Sequence, residues 1–125
     1  MSVPAEKSAN VLVVLVVEDE FLIRCSVAEC LRDAGYVVVE ADNGEKAIAL
    51  CTADTSIDIV FTDINLGGSA SGWDVAECFQ RNRPTVPVLY TSGKVIDFRV
   101  PGSAFVSKPY KGTGVLRACQ RLRIK

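Results

Sequence analysis

The sequence predicts an α/β fold, a doubly wound parallel sheet of five strands in the order 2-1-3-4-5, with a shortened fourth helix. Three observations lead there. Val11 to Val17 is an unbroken apolar run rich in valine, which suits a central parallel strand covered on both faces. Strand-like runs then alternate with segments of helical spacing along the chain, which implies right-handed βαβ crossovers and helices on both faces. Finally, only twelve residues separate Ser92 from Phe105, and Pro101 and Gly102 lie among them, leaving little room for a helix.

Residues 1–10 read as a flexible N-terminal tail, and 11–125 as one domain. After the first strand, Glu20 to Ala34 changes to helical spacing, with Leu22, Ile23, Val27, Leu31 and Ala34 on one face and Gly35 as its stop. Tyr36 to Glu40 is a short strand, and Asn43 to Thr52 a helix capped by Asn43 or Asp42. Ile57 to Thr62 is the third strand. Trp73 to Asn82 is helical, closed off by Pro84 and Pro87. Val88 to Tyr90 forms the fourth strand, ending at Thr91 or Ser92. Lys94 to Phe98 has room for about one helical turn, Ala104 to Ser107 is the fifth strand, and Gly114 to Arg123 the last helix. No internal repeat or low-complexity linker appears.

A chain of 125 residues with 49% hydrophobic and 23% charged residues fits one soluble globular domain. Its net charge of −1 gives no footprint for nucleic acid or an anionic membrane. The longest apolar run is too short to span a bilayer, and the polar start carries no secretory signal, so a cytoplasmic location is expected. Cys25, Cys30, Cys51, Cys78 and Cys119 are odd in number and form no C-x-x-C pair. They are expected to be small buried apolar residues in a reducing compartment. Histidine is absent, which excludes Ser-His-Asp catalysis and means the chain cannot itself carry a phosphohistidine.

Ligands of open parallel sheets bind beyond the carboxyl ends of the strands, where strand order reverses, here between the first and third strands. The first strand ends in Glu18-Asp19, the third in Asp63, the fourth in Thr91-Ser92 and the fifth in Lys108-Pro109. Three carboxylates, a hydroxyl and a lysine thus converge on one rim. Clustered carboxylates repel unless a cation neutralises them, and Mg²⁺ (with Mn²⁺ as its alternative) prefers such oxygen ligands. Asp19, Asp63 and the backbone carbonyl of Asn65 make a ready ligand set, with Glu18 reached through water. Room remains for a phosphoryl group, whose oxygens Lys108 and Ser92 can bind.

With these residues in place the chain resembles a response-regulator receiver domain of bacterial two-component signalling, with its flavodoxin-like strand order, over residues 11–123. The matching stretches are "VVEDE" (Val16 to Glu20), "FTDINL" (Phe61 to Leu66), "YTSG" (Tyr90 to Gly93) and "FVSKPY" (Phe105 to Tyr110). The resemblance implies Asp63 as phosphoacceptor, Glu18 and Asp19 as the acidic pair serving Mg²⁺, Ser92 as switch hydroxyl and Lys108 as phosphate-binding lysine. It implies Pro109 as a cis-proline, Phe105 as the switch aromatic, and Asn65 and Lys94 as tuners of hydrolysis. It also implies phosphoryl transfer from a sensor histidine kinase or histidine phosphotransfer protein, slow autodephosphorylation, and a downstream protein target. By this resemblance the domain is expected to be not an enzyme but a regulatory phosphoacceptor that promotes its own aspartyl phosphorylation and dephosphorylation. Its context is either a stand-alone regulator or a fragment of a hybrid kinase or longer regulator.

Plainer readings exist for each residue. Glu18, Asp19 and Glu20 suit a helix N-terminus, Asp63 an Asx-type turn, Ser92 a loop hydrogen bond, Lys108 a solvated surface and Phe105 the core. An aspartyl-phosphate hydrolase also uses a strand-end aspartate, but usually wants a second acid where Asn65 stands. A binding-only relative would lose acceptor or metal residues, and here all are present. The convergence favours the phosphoacceptor.

Overall fold

A computed structural model of the protein describes residues 11–53, 56–92, 104–107 and 112–124; the side chains of 92, 104–107, 112–113 and 122–124 lie outside that description. In chain order the elements are β1 (Val13–Val17), α1 (Phe21–Asp33), β2 (Val37–Ala41), α2 (Gly44–Ala53), β3 (Ile59–Asp63), α3 (Gly72–Asn82), β4 (Val88–Ser92), β5 (Ala104–Ser107) and α4 (Gly112–Ile124). The strands form one parallel sheet in the order β2-β1-β3-β4-β5. The α/β architecture is the one the sequence predicts. The short helix expected within 93–103 lies outside the described residues, as does the tail 1–10.

β1 explains its own composition. Val13, Leu15 and Val17 face the layer of α2 and α3, where they join Ala47, Cys51, Val75 and Phe79. Val14 and Val16 face the other layer, with Val27, Ala28 and Leu31 of α1 and Val115, Ala118 and Cys119 of α4. A strand covered on both sides has no polar face to show, hence the unbroken apolar run.

Two expectations need correction. Leu22 does not share the buried face of α1; it is 79% exposed, and Ala34 is exposed too. The inward face is Val27, Ala28 and Leu31, with Ile23 partly buried against them. Ile23, Val27 and Leu31 follow the i, i+4, i+8 line, and Leu22 stands about 100° around the helix from it. Of the five cysteines, only Cys51 and Cys119 are buried; Cys25, Cys30 and Cys78 are half-buried. Burial pushes the Cys119 thiol up to about 12, and burial together with the adjoining Cys78 side chain does the same to Cys51. At pH 8 such thiols hold a thiolate fraction on the order of one in ten thousand. A thiol reagent at pH 8 is therefore expected to modify Cys25, Cys30 and Cys78 first, with Cys51 and Cys119 reacting only as the chain opens. Mass spectrometry showing all five modified together would contradict this.

The helix ends have local causes. Gly35 takes a φ of 99°, which an L side chain rarely adopts, and so stops α1. Asn43 is the cap of α2, its Oδ1 accepting from the Lys46 amide at 2.8 Å, while Asp42 pairs with the Lys46 ammonium at 3.0 Å. α3 starts one residue earlier than expected because Ser71 and Asp74 form a reciprocal capping box. Among the described residues no helix is long and apolar enough to cross a membrane.

Candidate functional site at the carboxyl rim of the sheet

β1 and β3 lie side by side and deliver their acids to the same rim. Beyond β1 the Glu18 amide donates to the Ala41 carbonyl at 3.1 Å, so the chain stays tied to β2 after the strand ends. Glu18 is fully buried, and its Oε2 accepts from the Glu20 amide at 3.2 Å. Its carbonyl oxygen accepts from the Arg24 guanidinium at 3.0 Å, and Arg24 is fixed in turn by Glu40 of β2 at 3.1 Å. Asp19, the next residue, is exposed.

Asp63 is the last residue of β3 and is 2% exposed. Its Oδ1 accepts from the Asn65 amide at 3.0 Å, so the Asx-type turn is real. The turn and the site are not alternatives, because the same bond fixes the carboxylate at the strand end. The Gly67 amide then donates to Asp19 Oδ2 at 3.2 Å. One short loop thus places backbone donors on two acids from two different strands.

One carboxylate oxygen from each of Glu18, Asp19 and Asp63 lies within 4.8 Å of the others. Three like charges this close, two of them buried, repel strongly unless a cation joins them. Oxygens sharing one Mg²⁺ at about 2.1 Å lie at most about 4.2 Å apart, so small side-chain movements suffice to bring this set onto an ion. All the donors are hard oxygens, and exposed Asp19 leaves one side open to water. The residues fit a hard divalent cation.

Of the other residues singled out in the sequence, Asn65 is exposed on the rim. The backbone of Ser92 closes β4 and pairs with Ser107, and Phe105 pairs with Tyr90. The side chains of Ser92 and Phe105, and Lys94, Lys108 and Pro109 altogether, lie outside the described residues.

Several contributors carried no signal in the sequence. Gly72, at the start of α3, donates its amide to the Ile64 carbonyl at 2.9 Å and packs directly on the backbone of Asp63 and Ile64. Glu45 of α2 accepts from both the amide (2.9 Å) and the hydroxyl of Ser69, and this contact holds its carboxyl below the usual range. That contact anchors the far end of the loop after Asp63. Of Gly67 and Gly68, which follow Leu66 in this loop, only Gly68 needs glycine's freedom, at φ 104°; Gly67 acts through its amide.

Comparison with known proteins gives the family of this fold. Residues 14–113 match the family described as response regulator receiver domain. A probable transcriptional regulatory protein of Picosynechococcus sp. is 29% identical over 121 residues, covering 87% of this chain. The chain spans only 48% of that relative's length. Among solved structures, a response regulator receiver protein from Sinorhizobium medicae superposes with a TM-score of 0.84 at 29% identity, covering 92% of this chain and 96% of that one. The receiver domain of the hybrid histidine kinase CckA gives 0.78 at 28% identity, covering 88% and 97%. The match spans most of the chain and includes both strands that carry the acids, so the chain belongs to the response regulator receiver domain family.

Proposed function

We propose that residues 11–125 form a phosphoacceptor receiver domain of a two-component phosphorelay, in which Asp63 takes a phosphoryl group from a phosphohistidine on a separate sensor histidine kinase or phosphotransfer protein. The observation that carries this is the meeting of Asp63 with Glu18 and Asp19 at the carboxyl rim of a receiver-family sheet. An oxygen of the Asp63 carboxylate attacks phosphorus. The phosphorus–nitrogen bond breaks, its electron pair stays on the imidazole, and an acyl phosphate results. The Asn65 amide on Oδ1 holds the carboxylate plane during the attack. Asp19, Asp63, the Asn65 carbonyl and, through water, Glu18 would hold Mg²⁺, which when bound would neutralise phosphoryl charge.

In this reading Lys108 and Ser92 bind phosphoryl oxygens, Phe105 follows the Ser92 hydroxyl, and Pro109 is the cis-proline after the lysine. Asn65 and Lys94 tune slow hydrolysis. The short segment between β4 and β5 belongs to the same proposal, as do a protein target downstream and action in the cytoplasm without direct contact to nucleic acid. The test is incubation with Mg²⁺ and a small phosphodonor such as phosphoramidate. Intact-mass analysis is expected to show one added phosphoryl group per chain, labile to hydroxylamine and lost when a chelator removes Mg²⁺. A chain that takes up none with Mg²⁺ present refutes the proposal.

A further inference from the structure

The register of the sheet sets Thr91 directly beside Asp63. β3 and β4 pair Val60 with Val88, Phe61 with Leu89, Thr62 with Tyr90 and Asp63 with Thr91. Paired residues of neighbouring parallel strands sit roughly 4.8 Å apart and point to the same face. The pairs confirm it: Phe61 and Leu89 share the layer of α1 and α4, whereas Val60, Val88 and Tyr90 share the layer of α2 and α3. Thr91 and Asp63 continue the Phe61–Leu89 side, one repeat nearer the rim. The backbone is locked there, since the Ile64 amide donates to the Thr91 carbonyl at 2.9 Å.

Thr91 is fully buried, and among the described residues its Oγ1 has no hydrogen-bond partner. A buried hydroxyl without a partner is destabilising, and valine would fill the same space without that penalty. A β-strand surrounded by Val, Leu and Tyr has no packing reason to place a hydroxyl at this position. A phosphoryl group on the neighbouring Asp63 would bring three acceptor oxygens to this end of the strand pair.

Resting on the phosphoacceptor reading of Asp63, we infer that Thr91 is a second phosphoryl-binding hydroxyl, which donates from Oγ1 to an oxygen of the group carried by Asp63 and stabilises the modified state. It acts from inside the sheet, beside the acceptor, whereas Ser92 closes the strand at the rim.

The measurement is calorimetric titration of the full chain with beryllium trifluoride, an anion that mimics the phosphoryl group, in the presence of Mg²⁺. Thr91→Val is expected to weaken binding about fivefold to twentyfold, the worth of one hydrogen bond to a charged acceptor. Thr91→Ser is expected to restore it to within about twofold. Without the mimic, Thr91→Val is expected to melt at or above the wild-type temperature, because the unpartnered hydroxyl is gone. Wild-type affinity in Thr91→Val overturns the inference while leaving Asp63 as acceptor. So does a loss that Thr91→Ser shares, or one accompanied by a lower melting temperature, because each marks Thr91 as a packing residue. If the wild-type chain and Asp63→Ala bind the mimic equally, the phosphoacceptor reading itself fails.

Discussion

Asp63→Asn is expected to abolish phosphoryl uptake while making the chain more stable in the absence of Mg²⁺. The carboxamide is not a nucleophile toward phosphorus, so labelling by phosphoramidate should fall to background. The turn should survive, because an asparagine Oδ1 still accepts the Asn65 amide that Asp63 accepts at 3.0 Å. Stability should rise because one of three carboxylates within 4.8 Å loses its charge, and the one lost is 98% buried. Mg²⁺ should raise the melting temperature of the wild-type chain by a few degrees through mass action, and that of Asp63→Asn much less. Differential scanning calorimetry with and without Mg²⁺ checks both parts. A variant that is less stable than the wild type under both conditions would show that the cluster is held by something other than relief from a cation.

Gly72→Ala is expected to be the most damaging single-methyl change near the site. A Cβ there would lie 2.6 Å from the Ile64 Cα and 2.9 Å from the Asp63 carbonyl carbon, and would overlap the Asp63 carbonyl oxygen. None of these atoms belongs to a flexible side chain. Either α3 shifts away from the sheet or β3 bends, at a cost of about 3 kcal/mol or more. The strain falls on the residue proposed to react, so labelling should fall together with stability in urea titration. Gly35→Ala is the comparison, since nothing lies within 4 Å of its added methyl. Its cost is confined to the φ of 99°, about 1–2 kcal/mol, and labelling should remain. Equal losses of labelling in the two variants would show that Gly72 matters only for stability.

Much of this site is legible in the sequence. Strand ends can be read from local composition, and the polar residues that follow them are few, so Glu18, Asp19 and Asp63 stood out. Their meeting followed from one rule about where parallel sheets bind ligands. What the sequence could not show involves residues near in space and distant along the chain. Glu45 and Ser69 are 24 positions apart, and Asp19 and Gly67 are 48 apart. No periodicity links either pair. Leu22 turns outward for a different reason: an apolar residue one position off the i, i+4 line matches the face in the sequence, and only packing decides which side turns inward.

By itself, then, the sequence determined the α/β alternation, the doubly buried first strand and the three acids at the strand ends, because these depend on composition and periods of a few residues. Only the tertiary structure decided that Asp63 is held by its own turn, that Gly72 must be glycine, and that Thr91 stands buried beside Asp63. Those follow from strand register and the close approach of α3 to β3, which arise from contacts across the whole sheet.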